Sequence, residues 1–174
     1  MISKIDNGIY ETIIKMLSPT TTSVMTFISF LGSAITLIIL SVAFIILLKN
    51  KKYSKLIAIN LVLVFLLNRI LKWIIRRPRP ERLQLVLEKG FSFPSGHSMI
   101  AFGFYGFLIY LTYKNFKNKK IKYPLMIFLS ILILAIGISR VYLGVHYVTD
   151  VIGGFIFGFL YLVIFIKYFY KKIK

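Results

Sequence analysis

The sequence of 174 residues contains no cysteine, which excludes disulfide frameworks, thiolate metal sites and cysteine nucleophiles. Acidic residues are scarce: five Asp and Glu stand against 23 Lys and Arg, for a formal net charge of +18. This imbalance indicates an anionic partner, with phosphate, anionic lipid and nucleic acid as the candidates. Only 16% of the residues are charged and 58% are hydrophobic, whereas soluble domains average about a quarter and about half. The composition therefore favours a membrane protein.

Long apolar stretches recur along the chain. Residues 16–48 contain no Asp, Glu, Lys or Arg, and a bilayer span needs about 20 apolar residues. We predict five spans: Val24–Leu48, Leu56–Leu71, Ser98–Tyr113, Tyr123–Ser139 and Tyr147–Ile166. Some of these are short enough to be buried helices of a soluble protein, but five in one small chain favour a membrane bundle. The predicted fold is all-α, a polytopic membrane helix bundle with five to six membrane-associated helices.

The N-terminal segment has a different pattern. Charged residues alternate there with apolar residues at every fourth position: Ile5, Ile9, Ile13 and Leu17. This spacing predicts an amphipathic helix over residues 1–18 that lies in the headgroup plane, and Pro19 ends it. No small-residue cleavage site follows, so we expect this helix in the mature chain. Residues 19–174 are then the transmembrane part of a single domain, 1–174.

Lysine and arginine are sorted to opposite sides of the predicted spans. If the connections alternate sides, one side receives 13 lysines, no arginine and no carboxylate. The other side receives the remaining ten basic residues, including all six arginines, and all five carboxylates. The positive-inside rule places the lysine side and the C-terminus in the cytoplasm. Because the planar guanidinium matches phosphate oxygens, the arginine side is predicted to hold a specific anion, with a solvated surface run as the alternative.

The first polar segment on the arginine side contains most of these arginines. Arg69, Lys72 and Arg76 share a helix face if the helix continues through them. Prolines at positions 78 and 80 then stop the helix and hold Arg79 in an extended segment. This segment is predicted to supply cations to an anion site.

Two further segments on that side contain both histidines of the chain. The segment 93–98, Phe-Pro-Ser-Gly-His-Ser, precedes an apolar stretch, so its glycine and the free N–H groups of a helix N-terminus can approach an anion closely. In the second segment His146 and Asp150 are spaced i, i+4, which predicts that they share a helix face where the carboxylate holds the imidazole. Ionisable groups at membrane depth favour a functional site.

The pattern Lys-x6-Arg-Pro, Pro-Ser-Gly-His and Ser-Arg-x5-His-x3-Asp resembles the type-2 phosphatidic acid phosphatase superfamily. In length and layout the chain is most similar to the small bacterial lipid phosphatases of the phosphatidylglycerophosphatase B and undecaprenyl-diphosphatase type. The resemblance implies a membrane phosphatase domain with catalytic loops at 72–97 and 139–150. The three signatures occur in order as Lys72 with Arg79-Pro80, as Pro94–His97, and as Ser139-Arg140 with His146 and Asp150.

The resemblance also implies roles for these residues. His146 would attack phosphorus and form a phosphohistidine, Asp150 would fix the tautomer of His146, and His97 would protonate the leaving oxygen and then activate water. The groups expected to bind the substrate phosphate are Lys72, Arg79, Arg140, Ser95 and the Gly96 N–H. No metal and no cofactor are expected, because the acidic residues are too few and too scattered for a two-metal site. Three arginines match no signature and are interpreted as supporting, lipid-headgroup or distal-phosphate contacts, or as surface charge: Arg76, Arg77 and Arg82.

The expected substrate is a lipid phosphate: a polyprenyl diphosphate, phosphatidylglycerophosphate or phosphatidate. The site would face the extracytoplasmic side of a bacterial plasma membrane. A vanadate-dependent haloperoxidase is disfavoured because those proteins are soluble, and no recognition helix or aromatic-interleaved groove indicates a nucleic-acid partner. A phosphate- or lipid-binding transporter or receptor without chemistry remains the alternative. Gly154-Phe-Ile-Phe-Gly158 is a GxxxG motif that packs helices internally or forms a homodimer.

Overall fold

The computed structural model describes residue 8, residues 12 and 13, and residues 15–81 and 84–170. These residues form six α-helices and no strand, followed by a π-helical turn at Ile166–Tyr170. The predicted all-α fold is therefore confirmed. The helices are α1 (Pro19–Leu31), α2 (Ala34–Leu47), α3 (Lys51–Ile75), α4 (Gly96–Asn115), α5 (Lys119–Tyr142) and α6 (Val148–Phe165).

Three helices are long and apolar enough to cross a membrane: α3, α5, and α6 together with its π-helical turn. The α1–α2 pair meets the same test only when it is taken as one span with a 47° bend. Helix α4 lies at the centre and packs against α3, α5 and α6. More than half of its residues are buried, including Met99, Phe104 and Phe107, so much of its surface faces other helices. The chain is a multi-pass membrane protein.

The span predicted over Val24–Leu48 is not one continuous helix, because the chain breaks between α1 and α2. Ser33 interrupts it because its side chain caps α2, with Oγ accepting from the Thr36 N–H at 3.2 Å. Gly32 provides a close approach at the same break. A Cβ at this position would lie 2.6 Å from Ile136 Cγ2 and 3.5 Å from His97 Cδ2, so only glycine lets α5 and His97 pack this closely.

Two other helices begin earlier than the uncharged stretches indicated. Helix α3 begins at Lys51, where Asn50 Oδ1 accepts from the Lys52 N–H at 3.1 Å, and α5 begins after the equivalent cap at Asn118. The ammonium group of Lys51 folds back to donate to the Ile45 carbonyl at the end of α2, at 2.8 Å. A lysine in the first turn therefore does not end the helix, and the uncharged stretch gives only a minimum length for it.

The GxxxG motif packs helices inside the chain. A Cβ at Gly154 would lie 2.9 Å from the Ser95 carbonyl oxygen, and one at Gly158 would lie 2.9 Å from the Met99 carbonyl oxygen. Both glycines therefore bring α6 against the backbone of α4, as the internal-packing interpretation expected. A homodimer stays a prediction that this motif no longer supports.

Most of the predicted interfacial helix over residues 1–18 lies outside the described residues. Of the described part, Ile13 and Leu17 pack against a small apolar cluster that includes Leu143 and Val145. Pro19 is the first residue of α1, a position where its missing N–H costs nothing, and Ser18 caps that helix with Oγ at 3.1 Å from the Thr21 N–H.

Helices α3 to α6 alternate in direction, so the arginines and histidines meet at one end of the bundle and the lysine-rich connections at the other. The C-terminal ends of α3 and α5 meet the N-terminal ends of α4 and α6 around the arginines and histidines. At the opposite end Tyr53 of α3 donates to Asn115 of α4 at 2.8 Å, and Lys122 of α5 lies 4.2 Å from the ring of Tyr113. The lysine-rich connections therefore lie at the far end of the bundle from both histidines.

Candidate active site

A cavity of about 170 Å³ lies where these helix ends meet, and both histidines line it. Its wall also includes cations from α3 and from the connection to α4. Both imidazoles therefore border the same cavity. The polar and charged residues in the lining are Asn68, Arg69, Lys72, Arg79, Glu88, Lys89, His97 and His146.

The end of α3 separates its basic residues. Arg76 has φ 53°, a left-handed C-cap, and its N–H donates to the Lys72 carbonyl at 3.0 Å. Its guanidinium lies 4.8 Å from the Trp73 ring centroid, outside the cavity lining. The prediction that Arg69, Lys72 and Arg76 share one face is therefore wrong for Arg76, because the helix ends before that residue. Lys72 and Arg69 do line the cavity.

Arg79, in the segment between α3 and α4, contacts His146 and its neighbour in the chain. Its Nη1 donates to the Val145 carbonyl at 2.9 Å and lies 3.3 Å from Nε2 of His146. Its Nε donates to the Gly90 carbonyl at 3.0 Å. The guanidinium is thus fixed beside the imidazole by main-chain acceptors from two segments.

The contact between His146 and Asp150 is present, but the helix face predicted for it is not. Helix α6 begins at Val148, so His146 precedes the helix. Asp150 occupies the third helical position, where Oδ2 accepts from the Tyr147 N–H at 2.9 Å and lies 3.3 Å from His146 Nδ1. One carboxylate therefore caps α6 and orients the imidazole. With the proton on Nδ1, Nε2 keeps the lone pair and lies 3.3 Å from Nη1 of Arg79.

Arg77 is the neighbour of Asp150 that motif reasoning left unassigned. Its Nη1 lies 2.7 Å from Asp150 Oδ1 and 2.7 Å from Thr149 Oγ1, and its guanidinium lies 4.0 Å from the Tyr147 ring centroid. Arg77 therefore binds the carboxylate oxygen that does not face His146. Nothing in the sequence separates Arg77 from Arg76, because the turn that directs them apart is a tertiary feature. Arg82 lies outside the described residues.

The start of α4 brings Gly96 and His97 to the cavity, whereas Ser95 is fully buried behind them. The Ser95 N–H donates to the Asp150 carbonyl at 3.0 Å, and its Oγ accepts from Ser98 at 2.9 Å. A Cβ on Gly96 would lie 3.1 Å from Asn68 Oδ1, so glycine at this position lets the start of α4 pack closely against Asn68 of α3. The predicted role of Ser95 as a phosphate donor stays a prediction, and its hydroxyl is engaged within α4.

Arg140 lies behind the cavity wall and is 2% exposed. Its Nη1 donates to Ser29 Oγ at 2.6 Å, and its Nη2 donates to Glu88 Oε1 at 2.5 Å. Its Nε has no hydrogen-bond partner among the described residues. Glu88 is the second residue that motif reasoning missed. It belongs to no signature, and only the fold places it between Arg140 and Arg79.

The environment of His146 controls its protonation. Burial lowers the pKa of His146 well below its usual range, and the nearby cations Arg79, Arg140 and Lys72 lower it further. The ring is therefore neutral at neutral pH, the state in which Nε2 has a lone pair to donate.

Carboxylates and imidazoles are too dispersed for a metal cluster in the part of the chain that the structure describes. No group of three His, Asp or Glu side chains meets there. Asp150 is bonded to Arg77 and to a helix N-terminus, and Glu88 to two arginines. The charges that face the cavity are mostly cationic, which suits an anion.

A family model described as the PAP2 superfamily matches residues 52–174, which include all the predicted site residues. The chain belongs to the PAP2 superfamily. The resemblance drawn from the three signatures is therefore confirmed. In this PAP2 chain the match begins in the first turn of α3, and α1 and α2 precede it.

Two curated relatives share the PAP2 region. Phosphatidylglycerophosphatase B of Bacillus subtilis (strain 168) is 46% identical over 110 residues, which are 63% of this chain and 54% of that protein. Sphingosine-1-phosphate phosphatase 1 of Rattus norvegicus is 34% identical over 112 residues, which are 60% of this chain and 25% of that protein. The chain thus matches about half of the first relative and a quarter of the second.

Two solved structures share the fold. The crystal structure of a transmembrane PAP2-type phosphatidylglycerolphosphate phosphatase from Bacillus subtilis superposes with a TM-score of 0.87 at 36% identity, covering 99% of this chain and 88% of that one. The crystal structure of Aquifex aeolicus LpxE superposes with a TM-score of 0.73 at 26% identity, covering 92% and 94%. The helices that precede the matched family region are therefore part of the shared fold.

Proposed function

We propose that this chain is a lipid phosphatase that hydrolyses the terminal phosphate of a membrane lipid through a phosphohistidine, without a metal or cofactor. The observation that carries the proposal is the shared cavity of His97 and His146, with Lys72 and Arg79 in the same wall. Two imidazoles, one held by the carboxylate of Asp150, supply a nucleophile and an acid, which binding alone does not need.

An apolar cleft beside the cavity supports a lipid as the substrate. A second cavity of about 220 Å³ lies between α2 and α3, and apolar side chains alone line it. Ala34, Phe65 and Ile100 belong to both linings. A phosphate among the cations would thus have its hydrocarbon chain in the adjoining cleft, at the membrane-facing side of the bundle.

The proposed reaction has two displacements at phosphorus. In the first, Nε2 of His146 forms a bond to phosphorus, the bond from phosphorus to the lipid oxygen breaks, and that oxygen takes a proton from His97. In the second, water gives a proton back to His97 and attacks phosphorus, the N–P bond breaks, and inorganic phosphate leaves. Lys72, Arg79 and Arg140 stabilise the charge on the phosphoryl oxygens in both steps.

The finer assignments belong to the same proposal. The Bacillus subtilis relatives are named for phosphatidylglycerophosphate, and we propose this lipid, phosphatidate or a polyprenyl diphosphate as the substrate. Because the lysine connections lie opposite the cavity, the positive-inside rule supports an extracytoplasmic site in a bacterial plasma membrane, with the C-terminus in the cytoplasm. We further propose that residues 1–174 form one phosphatase domain, with 1–18 at the interface.

Phosphate release from purified protein tests the function. We expect the chain in detergent to release inorganic phosphate from at least one of these three lipid phosphates, at a rate that EDTA leaves unchanged. Glu81→Gln, an exposed carboxylate on the α3–α4 connection, serves as the matched control and should match the unmodified protein. Binding of the lipids without phosphate release would favour the alternative, a transporter or receptor without chemistry. Loss of phosphate release in EDTA that Mg²⁺ restores would contradict metal independence.

The pH dependence of kcat/KM should be bell-shaped, and its acid limb should lie at an unusually low pH. His146 must be neutral to attack, and its lowered pKa keeps it neutral below about pH 6.5, the ordinary histidine value. Activity should therefore persist there and fall only as the pH drops through that lowered pKa. The alkaline limb reports loss of the proton that His97 must donate. Because burial and the nearby cations also lower the pKa of His97 well below its usual range, this limb should lie on the acidic side of the ordinary histidine value as well. A flat profile, or an acid limb above the ordinary histidine pKa, would contradict the two-histidine scheme.

A further inference from the structure

All three cations predicted to hold the phosphate donate to one short segment, residues 88–92. Lys72 Nζ donates to the carbonyl oxygens of residues 91 and 92, the second at 3.2 Å. Arg79 donates from Nε and Nη2 to those of residues 90 and 89, at 3.0 and 3.2 Å. Arg140 donates to the Glu88 side chain in the same segment. A phosphate that binds these cations competes with this segment for the N–H groups that it engages.

Glu88 contributes the only negative charge of the segment. Its Oε1 accepts from Arg140 Nη2 at 2.5 Å, and its Oε2 lies 3.6 Å from Arg79 Nη2. One carboxylate thus spans two guanidinium groups, as two oxygens of a phosphate would. The Glu88 side chain is 29% exposed, whereas those of Arg140 and Arg79 are 3% and 9% exposed. The carboxylate therefore lies on the solvent side of both arginines.

We propose that Glu88 is an internal competitor for the phosphate donors, which sets how tightly this site holds a phosphate anion. The inference rests on the proposed function, in which inorganic phosphate is the second product. A phosphomonoester near neutral pH has a charge of about −1.5 to −2 and three free oxygens. It therefore competes with a carboxylate of one charge for the two arginines. When hydrolysis ends, Glu88 returns to the arginines and lowers the affinity for the product.

The competition has a direct kinetic consequence. Binding that is equally strong for substrate, transition state and product lowers KM without raising kcat, and it slows product release. Glu88 weakens such uniform binding, because its carboxylate pairs with the arginines again whenever the phosphate leaves them. Removing its charge should therefore tighten the binding of inorganic phosphate and of the lipid phosphate together.

The test is the affinity of detergent-purified protein for inorganic phosphate, measured by calorimetry. Glu88→Gln keeps the size of the side chain and an acceptor for Arg140 but removes the charge. We expect its Kd for inorganic phosphate to fall about tenfold, since the donors no longer have to be freed from an anion. Glu81→Gln removes the same charge from the same connection and should leave the Kd unchanged. In turnover assays Glu88→Gln should lower KM for the lipid phosphate and the inhibition constant of inorganic phosphate.

Unchanged or weaker phosphate binding by Glu88→Gln would overturn the proposal, and weaker binding would mean that Glu88 holds the arginines in place for the substrate. Thermal melting adds a second measurement. Added phosphate should raise the melting temperature of Glu88→Gln more than that of the unmodified protein. If Glu88→Gln does not fold, Glu88→Asp gives the answer: the shorter carboxylate reaches only one arginine, so phosphate should bind more tightly, and equal or weaker binding refutes the idea. The calorimetry needs no turnover, so tighter binding by a chain that hydrolyses no lipid would refute only the proposed function.

Discussion

His146→Ala should lower phosphate release by roughly 10⁴-fold or more, because it removes the atom that attacks phosphorus. The imidazole has no substitute nearby. The other polar groups in the cavity wall are cations, the Asn68 amide, Glu88, which is bonded to Arg140, and His97, which serves as the acid. The measurement is phosphate release under saturating lipid phosphate. Substrate affinity should change much less, because Lys72 and Arg79 remain in the wall.

His146→Gln controls for the loss of side-chain volume, and it should be equally inactive while it melts near the temperature of the unmodified protein. A radiolabelled lipid phosphate provides an independent readout. The unmodified protein should trap label in an acid-labile, alkali-stable form, as expected for an N–P bond, and His146→Gln should trap none. Substantial turnover by either folded variant would remove His146 from the nucleophile role and leave the two-step reaction without support.

Asp150→Asn should lower kcat by roughly 10²- to 10³-fold with little change in KM. The carboxylate is 3.3 Å from His146 Nδ1 and stabilises the positive charge that the ring gains when Nε2 bonds to phosphorus. Asparagine keeps an acceptor for Arg77 or for the Tyr147 N–H but not the charge, and its amide can present a donor to Nδ1. The wrong tautomer and the lost charge both act on the reacting step and not on substrate binding.

Two measurements separate this effect from a loss of folding. Because Asp150 also caps α6, Asp150→Asn should cost about 1–3 kcal/mol of stability, which a melting curve detects. The acid limb of the pH profile should also move to lower pH, since His146 loses the carboxylate that favours its charged form. A variant that loses stability but keeps both kcat and the acid limb would show that Asp150 only caps the helix.

The Asp150 contacts explain how one residue serves folding and the proposed chemistry together. The same oxygen accepts the Tyr147 N–H and faces the imidazole, and the other oxygen binds Arg77. Any movement of the α6 N-terminus would therefore move His146 as well. The proposed nucleophile is thus held by the start of a helix whose glycines pack it against α4, and this arrangement limits the motion that would misalign Nε2.

The sequence by itself determined the membrane class, the all-α fold and the family, and it named five residues that line the cavity: Lys72, Arg79, Gly96, His97 and His146. Hydropathy acts locally, so uncharged stretches of bilayer length indicate membrane helices wherever the rest of the chain lies. The spacing between Lys72 and Arg79, and between His146 and Asp150, is also a property of the chain alone. These signals named side chains that lie at or beside the cavity even where the implied local structure was wrong, as for the helix face expected of His146.

The tertiary structure decided how those residues are used. Whether Arg76 or Arg77 faces Asp150 depends on the left-handed turn after α3 and on where the start of α6 lies, and the close packing at Gly32 depends on the approach of α5 and His97. Glu88 reaches Arg140 across 52 positions of the chain, a distance at which no local pattern acts. Ion pairs and close packing between distant segments depend on positions in space, which only the folded chain defines.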